Sequence, residues 1–125
     1  MPPCTLCPGG TYVLSGNFTA GLEYHHKAVA GLESLVQSDP NNAVVAGDLA
    51  YAHSLIANTH ERMADAAGSR NQRVQHWREA KGWYQKSLSG WLGLESRGTL
   101  ANADKGEPER IRQAIAKCDT ALQSR

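Results

Sequence analysis

This chain of 125 residues has little net charge: thirteen basic and twelve acidic side chains nearly cancel, leaving +1. Binding to phosphate backbones needs a clear basic excess or stripe, so nucleic acid is not expected as a partner. No apolar run approaches the roughly 20 residues that cross a bilayer, and no membrane span is expected. The first residues hold no basic segment followed by an apolar stretch, so no secretory signal is read there. Asn17-Phe18-Thr19 fits a glycosylation acceptor, which is uninformative without secretion. Cysteine is scarce and odd in number, with Cys4 and Cys7 forming one CxxC and Cys118 far away. A zinc site built on that pair needs a second ligand pair, and no second CxxC follows. A redox CxxC opens a helix behind a strand, whereas this one sits in Pro- and Gly-rich sequence. Residues 1–10 are therefore expected to be a disordered tail carrying two free thiols, in keeping with a reducing cytoplasm.

What the chain does have is a near-repeat. Lys27-Ala28-Val29-Ala30-Gly31-Leu32-Glu33-Ser34-Leu35 returns as Lys86-Ser87-Leu88-Ser89-Gly90-Trp91-Leu92-Gly93-Leu94. Extended backwards, the same offset pairs Phe18 with Trp77, Gly21 with Ala80 and His25 with Tyr84. Fixed-period self-similarity of this kind marks stacked helical hairpins.

Apolar periodicity predicts four helices. The first covers residues 17–38, with the stripe Phe18, Leu22, His25, Val29, Leu32, Val36, and stops at Asp39-Pro40-Asn41-Asn42, since proline disfavours a helical residue before it. An Asn in that turn is suited to capping the next helix. The second, residues 43–67, has two adjacent rows. One is Val45, Leu49, Ala52, Ile56, Thr59, Met63; the other, mostly small, is Ala46, Ala50, His53, Ala57, His60, Ala64. Two rows make a face wide enough for two neighbours. Gly68 is expected to end this helix in a left-handed cap, with a polar turn over 69–73. The third helix, residues 74–97, places Trp77, Tyr84 and Trp91 every seven residues on one face, where such rings dominate a core. After a loop over 98–106, Pro108 opens a last helix to about residue 123, with the row Ile111, Ile115, Cys118, Leu122 inward and Glu109, Arg112, Lys117 and Gln123 outward. The fold class is all-α, about four helices in antiparallel hairpins, the last a C-terminal cap.

The hairpin motifs resemble the tetratricopeptide repeat. A small residue followed by an aromatic, typical of its second helix, stands in Ala80-Lys81-Gly82-Trp83-Tyr84 and again in Gly21-Leu22-Glu23-Tyr24-His25. The turn Gly16-Asn17-Phe18 and the closing turn Asp39-Pro40-Asn41-Asn42 fit, and His53-x-x-Ile56-Ala57-x-x-His60 stands where the first helix has its signature. The second helices are longer than in the short form of the repeat and the turn over 69–75 is expanded. The pattern is closer to the long-hairpin tails of some bacterial serine/threonine kinases, whose terminal part is similar to Trp83-Tyr84-Gln85-Lys86-Ser87-Leu88 through Ala116-Lys117-Cys118-Asp119. No kinase motif is present. The resemblance implies a domain over 11–125, non-catalytic and binding proteins or peptides, from a bacterial signalling protein. Residues 11–15 read as only the last turn of a leading helix, so the chain is expected to begin inside a repeat.

Chemistry-bearing residues are few. His53 and His60 are seven apart, roughly 10 Å along a helix, too far to share an ion unaided. His60-Glu61-Arg62-Met63-Ala64 has the start of HExxH and lacks its second His. His25, His53 and His60 fall at ring positions of the repeat and read as packing residues. Cys118 lies in a core row rather than an open electropositive site. Glu61, Asp65, Glu79 and Glu95 are scattered beside arginines, and no Ser/His/Asp set exists. Arg70, Arg73, Arg78, Lys81 and Lys86 give the third helix a positive side, read as solvated. No cofactor and no metal ligand set is assigned; the enzyme alternative is a helical metalloprotein using His53, His60, Cys4 and Cys7. By helical spacing, Tyr51, Ser54, Asn58, Glu61, Arg62 and Asp65 lie opposite the Val45–Met63 row. In tetratricopeptide arrays the leading helices line the groove, which makes these six the peptide-groove candidates. Asn58 matches the position of a carboxylate-clamp Asn, although the clamp's other members are missing. A leading helix reduced to one turn would leave Phe18, Leu22, Val29 and Leu32 uncovered, so a homodimer through them is the alternative.

Overall fold

The computed structural model describes residues 18–123. The tail expected over 1–10, the start of the domain at residue 11 and the Cys4/Cys7 pair lie outside the described residues. Within them the chain is all-α. The helices are α1 (Phe18–Ser38), α2 (Ala43–Asp65), α3 (Arg70–Ser96) and α4 (Glu107–Gln123), with a 3-10 turn at Asn102–Asp104 before the last. Each helix packs against the next. Four-residue connections make α1–α2 and α2–α3 antiparallel hairpins, and the longer loop over 97–106 brings α4 back onto α3, so α2 is flanked by α1 and α3, and α3 by α2 and α4.

Caps decide where these helices begin and end. The Asn42 side chain accepts from the backbone N–H of Val44 at 3.1 Å and of Val45 at 3.2 Å, starting α2. Ser69 Oγ accepts from Gln72 N–H at 3.2 Å. That cap starts α3 at Arg70, drawing into the helix residues 70–73, which polar composition alone had suggested as turn. Gly68 is not left-handed; α2 closes on Ala66 in a right-handed conformation. The left-handed glycine is Gly98, at φ 71°, just past α3. There Gly98 N–H bonds the Glu95 carbonyl and Thr99 N–H the Leu94 carbonyl, both at 3.0 Å. This crossed pair is a Schellman motif, which satisfies carbonyls the helix end would otherwise leave open.

The main core lies between α2, α3 and α4. Trp77, Tyr84 and Trp91 are all buried, among Ala50, Ala57 and Ala64 of α2 and Ile111 and Cys118 of α4. Burying each tryptophan contributes about 4–6 kcal/mol on area grounds. The alanines let α3 come close. Ser87 Oγ donates to the Ala50 carbonyl at 2.7 Å, and a Cβ on Gly90 would stand 3.0 Å from that of Ala50. On its other side α2 buries Ala52 and Ile56 against Val29 of α1. The two rows expected on the second helix therefore serve two neighbours.

That second contact corrects the expected self-association patch. Val29 is buried, Leu22 and Leu32 pack against the same cluster, and Phe18 is half-buried. The apolar row of α1 is covered by α2, because the 18-22-25-29-32 register faces inward. The large apolar residues that α1 exposes are Tyr24 and Leu35. Among the described residues no helix is long and apolar enough to cross a membrane.

Candidate docking surface

Helix α2 has a third face. Val44, Asp48, Tyr51, Asn58, Arg62 and Asp65 recur at helical spacing and are all exposed. Four of the six expected groove residues, Tyr51, Asn58, Arg62 and Asp65, lie on this face. Ser54 and Glu61 do not, being only 4% and 6% exposed. They share the 50-54-57-61-64 register, which points at α3 and α4, and belong to the core side. His53 and His60, expected in that row, sit half-buried at its edge.

The N-terminal half of the face is apolar and hollow. Val44 is 73% exposed and Tyr51 49%. They border a depression of about 230 Å³, lined by Trp91 and Leu94 of α3 and by the loop that follows. Gly47 also lines it, and a Cβ there would meet the Trp91 ring at 3.5 Å and Leu94 at 3.8 Å, ordinary van der Waals contact. Asp48 and Asp104 also line it, and neither has an ion-pair partner among the described residues. The C-terminal half is polar, with Arg62 Nε donating to Asn58 Oδ1 at 3.2 Å.

Behind this face lies a polar cluster joining three helices. Tyr84 of α3 donates its hydroxyl to Glu61 Oε2 of α2. Lys117 of α4 brings Nζ to 3.2 Å from Oε1, an ion pair without the alignment of a hydrogen bond. Burial, then the bond to Glu61 and its charge, hold the Tyr84 hydroxyl far above its ordinary pKa. Burial first, then Glu61 and Asp119, push the Cys118 thiol up to about 11. Tyr84 therefore stays protonated and Cys118 stays a thiol at neutral pH, which suits a structural cluster and gives neither a base nor a nucleophile.

The histidines gather where α1, α2 and α3 meet. His25 is buried. His26 and His53 flank the Trp83 ring at centroid distances of 5.4 and 5.6 Å, with Lys86 Nζ 4.5 Å from the same ring. His60 meets His76 of α3, Nδ1 to Nδ1 at 3.4 Å. His53 and His60, too far apart along α2 to share an ion, thus meet different rings of α3. Burial is the main cause lowering the pKa of His25, His53 and His60; Lys86 adds to it at His53, and neighbouring histidines at His60, where Glu79 opposes. Among the described residues no group of three or more His, Cys, Asp or Glu is placed to hold a metal ion. On the basic side of α3, Lys81 pairs with Asp119 at 2.6 Å, while Arg70, Arg73 and Arg78 stay exposed.

No family model, no curated protein and no solved structure matches this chain.

Proposed function

We propose that this chain is a non-catalytic interaction module, a helical-hairpin scaffold of tetratricopeptide type from a bacterial cytoplasmic signalling protein, that docks a peptide segment on the outer face of α2. The observation that supports this reading is the exposed Val44–Tyr51 pair over the Trp91 and Leu94 depression, with Asp48 and Asp104 beside it and without an ion-pair partner among the described residues. A soluble surface does not keep two large apolar side chains beside a hollow without cost, and a partner's apolar side chain seated there would remove it from water. The two carboxylates select for a lysine or arginine next to that anchor. The occupant is thus an apolar-plus-basic peptide segment. Asn58 and Arg62 extend the contact along the helix.

Panning a random peptide library against the protein tests this reading. Sequences pairing a large apolar residue with Lys or Arg should enrich, and Tyr51→Ala or Asp48→Lys should abolish the enrichment while helicity is kept. No enrichment, or enrichment indifferent to both substitutions, would reject the reading.

Self-association is a second reading, favoured by one observation: Tyr24 and Leu35 are exposed on α1 and, about three turns apart, share one side of it. Sedimentation should then show a dimer that Leu35→Lys dissociates; a monomer at high concentration rejects it.

A further inference from the structure

The geometry points to a metal site that the docking role does not use: His60 and His76 form a two-imidazole chelate for a late first-row divalent ion such as Zn2+, clipping α2 to α3. The two rings come from different helices, yet their Nδ1 atoms stand 3.4 Å apart, with centroids 5.6 Å apart and planes tilted by 32°. An ion about 2.05 Å from each nitrogen would subtend about 110° across that gap, close to the tetrahedral angle preferred by Zn2+. The bite is therefore set by the packing of the hairpin.

Both rings are half-buried, so their positions are held by neighbours. Imidazole suits Zn2+, Cu2+ and Ni2+ over the hard cations. The two Nδ1 atoms stand at hydrogen-bond distance when one ring carries its proton on Nδ1 and donates it to the other. On binding, that proton leaves Nδ1 and the ring takes its Nε2–H tautomer, so each Nδ1 offers a lone pair and each ring stays neutral. Glu79 lies three residues beyond His76 on α3, and its negative charge already acts on His60. With no third protein ligand in place among the described residues, water fills the other positions. Two protein ligands give a micromolar, exchangeable site rather than a structural one, and the ion stiffens the hairpin that presents the docking face.

Calorimetric titration of the metal-free full chain with ZnCl2 tests this, using Cys4→Ser/Cys7→Ser to silence the thiol pair. One ion per chain is expected. His60→Ala or His76→Ala should each weaken it by about tenfold or more, since even outer-sphere changes cost that much at metal sites. Side-chain 15N spectra give a readout that needs no substitution: Zn2+ should move the Nδ1 resonances of His60 and His76 and leave those of His25 in place. Zn2+ that leaves both Nδ1 resonances unmoved, or an isotherm that neither substitution changes, would overturn the site.

Discussion

Removing one oxygen from the cluster that ties α2, α3 and α4 together should be costly. Tyr84→Phe deletes the hydroxyl that donates to Glu61 Oε2 and leaves that carboxylate oxygen buried. A hydrogen bond to a charged group contributes about 1.5–3 kcal/mol, and an orphaned buried partner keeps its desolvation cost. We expect a loss of about 2 kcal/mol, a change of roughly 30-fold in the folded-to-unfolded ratio. Lys117→Met should cost less, at most about 1 kcal/mol, because the ammonium end belongs to a side chain that is 66% exposed and its ion pair is screened. Equilibrium urea unfolding, followed by far-ultraviolet circular dichroism, measures both. A Tyr84→Phe effect below about 0.5 kcal/mol, the size of an ordinary surface change, would refute the reasoning, as would a Lys117→Met effect equal to it. The cluster also sets an alkaline limit. The folded Tyr84 pKa is raised above 10.0 and the folded Cys118 pKa above 9.0. The unfolded chain therefore releases those protons first, and stability falls as pH rises through 9 and then 10. Tyr84→Phe should flatten the part of that decline beginning near 10.

Acid should act through the histidines. His25, His53 and His60 have folded pKa values below 6.5, so stability is present above pH 6.5 and is lost as pH falls below it; urea midpoints at successive pH values should show this, and His25→Gln should weaken the trend. Two glycine types should part company: Gly90→Val, whose Cβ lies 3.0 Å from Ala50, should destabilise by about 1–3 kcal/mol through overpacking. Gly31→Ala and Gly82→Ala, which meet nothing within 4 Å, should each stabilise their helices by about 0.5–1 kcal/mol, both read from thermal melts. Cys118 should resist a thiol reagent at pH 7.5 in a Cys4→Ser/Cys7→Ser chain and react once urea unfolds it; rapid native labelling would contradict its burial.

Periodicity carried most of the fold. The 18-22-25-29-32 stripe, the double row of α2 and the seven-residue spacing of Trp77, Tyr84 and Trp91 each follow from 3.6-residue geometry, which composition exposes directly. Caps were harder: Ser69 and Gly68 both stand at the α2–α3 turn, and only the hydrogen bond from Gln72 N–H shows which of them decides where a helix begins. The candidate surface was half legible. Tyr51, Asn58, Arg62 and Asp65 follow from the face opposite the apolar seam. Glu61 and Ser54 were misplaced because a position opposite the Val45–Met63 row was read as exposed. The overlooked signal is their register with Ala50, Ala57 and Ala64, which puts them on the side of close helix approach. The Glu61 partners Tyr84 and Lys117, and the His60–His76 pair, come from separate helices, and no local pattern links residues that meet only after packing. The hollow under Val44 and Tyr51 depends on the loop over 98–106, which has no periodicity to read.

The docking face of α2 can be tested by chemical-shift mapping with a selected apolar-plus-basic peptide on 15N-labelled protein. The account predicts perturbations concentrated at Val44, Gly47, Asp48 and Tyr51 and at the loop around Asp104, and their disappearance with Tyr51→Ala. Perturbations centred on α1, on α4 or on the basic side of α3, with α2 silent, would contradict it.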